Sequence, residues 1–231
     1  MKTKLIFSGD WQCAVTNLTQ CEQHVRQICD LFDNAPLNCD RFFIHTGDVK
    51  EITNPVDQRV TNFILDAFKR IRGRCDGMAF VAGNHDFITT QDGVPSCVPV
   101  VKASGVDWAV SDQWMSCTVG SLAYLFLVPY MRDSDRQKKA LAQAAKSADG
   151  VKGWKKILVF HNTIDGCRLN NSFKGVGIAK SSLYPDSYDL CVGGHIHKPQ
   201  FIPPNIHYVG SPFPQDWSEV NTQHRILVVN L

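Results

Sequence analysis

The chain has 231 residues, 44% of them hydrophobic, with 24 Lys and Arg against 22 Asp and Glu for a net charge of +2. That is enough apolar content for one large core with no shift in composition to divide it, so a single domain over residues 1–231 is expected. No apolar run reaches the length of a membrane-spanning helix, and the near-neutral charge argues neither for nor against a nucleic-acid partner.

The first predicted strand, about Lys4 to Phe7, runs into Ser8-Gly9-Asp10. Thr19-Gln20-Cys21-Glu22 has capping-box spacing, and Val25, Ile28, Leu31 and Phe32 continue it as a helix to about Asp33. A strand from Arg41 to His45 leads into Thr46-Gly47-Asp48, with His45 expected to pack or to support a ligand rather than bind metal itself. Val56, Val60, Phe63, Ile64, Ala67, Phe68 and Ile71 form a helical stripe, and the Lys69, Arg70 and Arg72 cluster reads as its solvated C-terminal end.

Met78 to Ala82 is the next strand, ending on Gly83-Asn84-His85-Asp86, where Asp86 is expected to hold the loop. Thr89 to Gly93 reads as loop, Cys97 to Lys102 as a short apolar segment, and Trp108 and Trp114 as core. Leu122 to Val128 is a buried strand stopped by Pro129; beyond it Arg132 is either a phosphate contact or a surface ion pair. Ser134 to Ser147 is a helix by propensity.

Ile157 to Phe160 ends on His161, and the following segment to Lys180 carries Arg168, Lys174 and Lys180, charges that suit a phosphodiester. Leu190 to Val192 runs into Gly193-Gly194-His195-Ile196-His197, whose two imidazoles would share one face of an extended strand. Ile206 to Val209 and Arg225 to Val229 read as closing strands, with His207 and His224 at the surface or packed. The nine cysteines form no CxxC pair, and no signal peptide precedes Asp10. Reduced thiols in a soluble, cytoplasmic protein are expected.

Five apolar runs thus end on Asp, Asn or His, at the sheet edge where α/β folds collect ligands. Carboxylate, amide oxygen and imidazole together suit divalent ions such as Mn²⁺, Fe²⁺ or Zn²⁺. Two such ions about 3.5–4 Å apart can clamp the attacking and leaving oxygens of a phosphoryl displacement.

Asp10, Gly47-Asp48, Gly83-Asn84-His85-Asp86, His161 and Gly194-His195-Ile196-His197 resemble, in order, the motifs of the calcineurin-like metallophosphoesterases. The run Gly194 to Gln200, then Gly210-Ser211-Pro212 and Trp217-Ser218-Glu219, is most similar to the SbcD-type DNA-repair nucleases. The resemblance implies a four-layer αββα sandwich of two mixed sheets flanked by helices. It also implies two divalent ions, Mn²⁺ first among them. Asp10 and His197 would hold the first ion, Asn84, His161 and His195 the second, and Asp48 would bridge; His85 would assist the leaving group.

Where that family has a His two residues after the first Asp, this chain has Gln12. Gln12 either ligates weakly, acts through a water or leaves the first site low in affinity, or it faces solvent without a role.

The functions implied are, first, a DNA exonuclease or endonuclease using a water activated between two ions. The second is a phosphatase or phosphodiesterase for a small molecule or phosphoprotein, and the third a non-catalytic scaffold. The expected form is a minimal, phage-like one without the capping domain or the segment that binds an SbcC-type ATPase partner, and with a homodimer open.

Overall fold

The computed structural model describes residues 2–52, 55–87, 96–169 and 173–231. The loop reading at Thr89–Gly93 lies outside them. Chain order is β1 (Lys2–Ser8), α1 (Leu18–Asp33), β2 (Cys39–His45), α2 (Gln58–Arg72), β3 (Gly77–Val81), α3 (Val98–Ala103) and β4 (Trp108–Val110). It continues with β5 (Met115–Val119), β6 (Ala123–Val128), α4 (Ser134–Asp149), β7 (Lys155–His161), β8 (Leu190–Gly194), β9 (Gln200–Ile202), β10 (Ile206–Tyr208) and β11 (Leu227–Asn230).

The strands form two mixed sheets, ordered β11-β1-β2-β3-β4 and β5-β6-β7-β8-β10-β9. In the first, β1 to β4 are parallel and β11 closes the edge antiparallel to β1. In the second, β6, β7, β8 and β10 are parallel, with β5 and β9 antiparallel at the edges.

Alternation along the strands decides the layering. Leu5 and Phe7, with Phe42, Ile44 and Val81, meet Leu125, Leu127, Ile157 and Val159 between the sheets. Ile6, Phe43 and Phe80 point the other way, onto Val25 and Ile28 of α1 and Ile64 and Phe68 of α2. On the far side, Phe126 and Phe160 pack on Leu141, Ala144 and Ala145 of α4, whose small residues let the helix lie close. The result is the expected four-layer αββα sandwich, with the parallel strands buried on both faces.

Three local expectations are corrected. A 3₁₀ turn over Val15–Asn17 feeds α1 directly, so Thr19 lies inside the helix and caps nothing. Glu22 instead takes Arg70 of α2 at 2.8 Å and Arg26 at 2.7 Å. The basic end of α2 is therefore only partly solvated: Arg70 bridges two helices, and Arg72 donates to the Cys75 carbonyl at 2.8 Å. Finally, β8 stops at Gly194, and His195 turns into the left-handed region with φ 83°, so the two imidazoles do not share a strand face. Trp108 and Trp114 are half-buried, the latter donating to Gln143 at 3.1 Å. All nine cysteines are free. No helix among the described residues is long and apolar enough to cross a membrane.

Candidate metal centre

The site is built where the loops after β1, β2, β3, β7 and β8 meet. The first two loops are zipped together by backbone bonds beyond their strands: Thr46 to Ser8, Asp10 to Gly47, Gln12 to Asp48 and Cys13 to Val49, at 2.8–3.0 Å. Holding that pairing while turning their side chains inward puts Asp10 (φ 53°), Gln12 (φ 44°) and Asp48 (φ 55°) in the left-handed region that ordinary residues avoid. The β3 loop is fixed by Asp86, whose carboxylate accepts the N–H of Asp48, Val49 and Gly83 at 2.8, 2.9 and 2.8 Å. Asp86 thus holds the loop, as its position in the sequence suggests. Gly83 allows the approach: a Cβ there would lie 2.1 Å from Asp48 Oδ1.

Asp48, Asn84, His161 and His195 converge at one point. His161 Nδ1 donates to the Thr46 carbonyl at 2.7 Å, which leaves Nε2 facing Asn84 Oδ1 at 3.2 Å and Asp48 Oδ2 at 3.3 Å. His195 Nδ1 lies 2.7 Å from the same Asn84 oxygen. Asp48, His161 and His195 each offer a ligand atom within 4.8 Å of the others. Asp48 Oδ1 accepts the His85 backbone N–H at 2.9 Å.

Asp10 stands beside this group. Its Oδ1 accepts the His195 N–H at 2.9 Å, and its buried Oδ2 has no hydrogen-bond partner. Burial pushes its carboxyl up to about 6, against the pull of His161 and His197. For Asp48, burial pushes up but the facing His161 outweighs it and holds the carboxyl below the usual range, while Asp48 raises His161 in return. Burial and the neighbouring His161 take His195 down to about 3.

These lone pairs face one another with too few hydrogens to share. Either a proton or a cation must join them, and the N/O donor set fits a divalent ion. Asp48, Asn84, His161 and His195 would hold one ion. Asp10, Asp48 and His197 would hold a second, the unpartnered Asp10 Oδ2 being the strongest mark of it.

Gln12 is buried, which overturns the solvent-facing reading: its side-chain amide lies 3.0 Å from His197 Nε2. His197 Nδ1 donates at 2.7 Å to Oε1 of Glu219, itself only 5% exposed. The other Glu219 oxygen accepts the Gln215 N–H at 2.9 Å. Burial lowers the His197 pKa, but the Glu219 bond together with the charges of Asp10, Glu219 and Asp48 outweighs it, so the net shift is upward. His85 lies at the rim, with Nδ1 3.3 Å from Glu51 Oε1 but poorly aligned for a hydrogen bond.

Arg132 is exposed just past Tyr130, whose ring stacks on His195 with centroids 6.1 Å apart. Arg168 is exposed and forms an antiparallel bridge with Lys174, its backbone held by Gln200 at 2.8 Å. Glu51 carried no signal in the sequence. Glu219 carried one, because it closes the Trp217-Ser218-Glu219 run.

A two-sheet sandwich that gathers carboxylate, amide and imidazole at its strand ends carries a donor set suited to divalent ions. The chain belongs to the calcineurin-like phosphoesterase family, whose model matches residues 3–199. It is 24% identical over 239 residues to the phosphoesterase candidate 078R of Invertebrate iridescent virus 3, covering 99% of this chain but 63% of that protein.

Solved structures with a similar fold include the phosphopantetheinyl hydrolase of Mycobacterium tuberculosis, with TM-score 0.57, 14% identity, and 99% and 96% of the two chains covered. A 5′-nucleotidase precursor from Thermus thermophilus gives TM-score 0.51 and 14% identity over all of this chain and 54% of that one. These likenesses extend to the fold alone.

Proposed function

We propose that the protein hydrolyses phosphate esters by in-line displacement at phosphorus. The convergence of Asp48, Asn84, His161 and His195 beside the unpartnered Asp10 oxygen carries this reading. Two divalent ions held there, Mn²⁺ first and Fe²⁺ or Zn²⁺ next, would supply an activated water and neutralise the developing charge. Asp86 keeps the loops of Asp48 and Asn84 in register, and Glu219 orients the His197 imidazole. His85, off the cluster but bonded to it through its backbone, delivers a proton to the departing oxygen.

Two substrate classes fit. Cleavage of DNA in the SbcD manner is supported by the motif run from Gly194 to Glu219 and by Trp217, 94% exposed and free to stack on a base. A small phosphate ester is supported by the cavity next to His85, developed below. The test is Mn²⁺-dependent hydrolysis of a chromogenic diester and monoester beside labelled single- and double-stranded DNA, with His85→Ala as control. Absence of metal-dependent hydrolysis of every ester would refute the proposal.

A further inference from the structure

We infer that a cavity of about 540 Å³ between the loop after β1, the segment before α2 and the 213–215 turn receives the leaving group of the substrate. Its lining selects a neutral, hydrogen-bonding organic group of up to nucleoside size over a second phosphate. The inference rests on the phosphoesterase reading above and deepens it.

Position is the first argument. Glu51 lines the cavity and also faces His85 Nδ1 at 3.3 Å. Gln215 lines it too, and its Nε2 donates to the Asp10 carbonyl at 3.2 Å. The cavity therefore adjoins both the proton-delivering His85 and the Asp10 side of the metal centre. With phosphorus on the cluster and the departing oxygen at His85, the rest of the leaving group extends past Glu51 into this space.

Chemistry is the second. The walls carry the amides of Gln20 and Gln215 and apolar surface from Val15, Val56 and Phe213, with Asn17 tied to Ala14 and Gln12, a mixture that suits a compact organic group. Among the described residues, no Lys or Arg lines the cavity. Of the two lining acids, Asp57 is paired with Arg59 at 2.8 Å. The neighbouring Lys50 is buried, with its Nζ on the Glu51 carbonyl at 3.1 Å. A second phosphate would thus meet the Glu51 carboxylate with no lining cation to receive it.

The experiment compares esters that share a phosphate and differ in what leaves. With Mn²⁺, kcat/KM for a nucleoside 5′-monophosphate should exceed that for a phosphoglycerate by about tenfold. Val56→Trp, which fills the cavity, should lower the nucleotide value by about tenfold and leave methyl phosphate unchanged. Gln20→Arg, on an exposed position, should narrow the gap between nucleotide and phosphoglycerate.

Independently of activity, adenosine should show saturation-transfer NMR contact with metal-free protein, lost in Val56→Trp. Equal effects of Val56→Trp on nucleotide and methyl phosphate, preference for the anionic leaving group, or DNA cleavage untouched by Val56→Trp would each overturn the inference. Hydrolysis of no ester at all would instead refute the phosphoesterase reading, so the two failures are distinct.

Discussion

Replacing Glu219 tests whether the C-terminal turn is part of the metal centre. Glu219 lies beyond the family-matched residues 3–199, yet it holds His197 Nδ1 at 2.7 Å and is almost wholly buried. That bond fixes the tautomer, so the Nε2 lone pair faces Gln12 and, with its amide turned, an ion beside Asp10. Removing such an outer partner typically lowers metal affinity about 10–100-fold, or about 1.4–2.7 kcal/mol.

Glu219→Ala should therefore weaken one Mn²⁺ in a calorimetric titration by that factor and leave the other intact. It should also destabilise the metal-free protein by about 1–3 kcal/mol, because the Gln215 N–H loses its acceptor. Glu219→Gln keeps an oxygen for one donor, so it should recover most of the stability and part of the affinity. Unchanged binding of both ions in Glu219→Ala would refute the role of His197 as a ligand.

Other perturbations give separate readings. His85→Ala should lower kcat by about 10²–10⁴-fold while both ions still bind, checked by steady-state kinetics beside metal titration. Gly83→Ala places a methyl 2.1 Å from Asp48 Oδ1 and 2.6 Å from His161 Cε1. It should abolish tight metal binding and cost about 1–3 kcal/mol in denaturant unfolding.

His24 Nε2 lies 2.7 Å from the Ser8 hydroxyl, which also accepts from Trp11 at 2.8 Å, in a buried pocket that favours the neutral imidazole. Burial takes its pKa down to about 4 from the usual 6.5, so the unfolded chain binds the extra proton and stability is lost as pH falls from 6.5 toward 4. Between pH 6.5 and 5 this loss is about 1.6 kcal/mol. In metal-free protein, the stability gap between wild type and His24→Gln should shrink by that amount over that range; a constant gap would contradict the reasoning.

The strands that carry the site were legible because each is an apolar run broken abruptly by a small polar group. The core faces of α1 and α2 followed from spacing, while α4 was legible only as a helix by propensity. What stayed hidden depends on partners far away in sequence. Glu22 has capping-box spacing to Thr19, but its charge is claimed by Arg70, 48 residues on. Glu51 looks like any surface acid until folding brings it to His85, and the run that ends on Glu219 gives no hint that its carboxylate meets His197. The exit of His195 from strand geometry was equally invisible, since a His at positive φ is an exception to the rule that side chains alternate.

Four of the five described non-glycine residues with positive φ are Asp10, Gln12, Asp48 and His195, all at the candidate centre. Each such conformation costs of order 1–3 kcal/mol and persists only where surrounding bonds over-determine it. Here they do: four backbone bonds clamp the first two loops, and Asp86 fastens three N–H groups from the second and third. The strain is therefore carried by protein rather than by a bound ion, which makes the centre preorganised. Asp48, Asn84, His161 and His195 would present oriented lone pairs to an ion there, and a proton shared between His161 and Asp48 would compete with it. Metal affinity should accordingly fall with pH as that proton competes, while the loops themselves keep their shape.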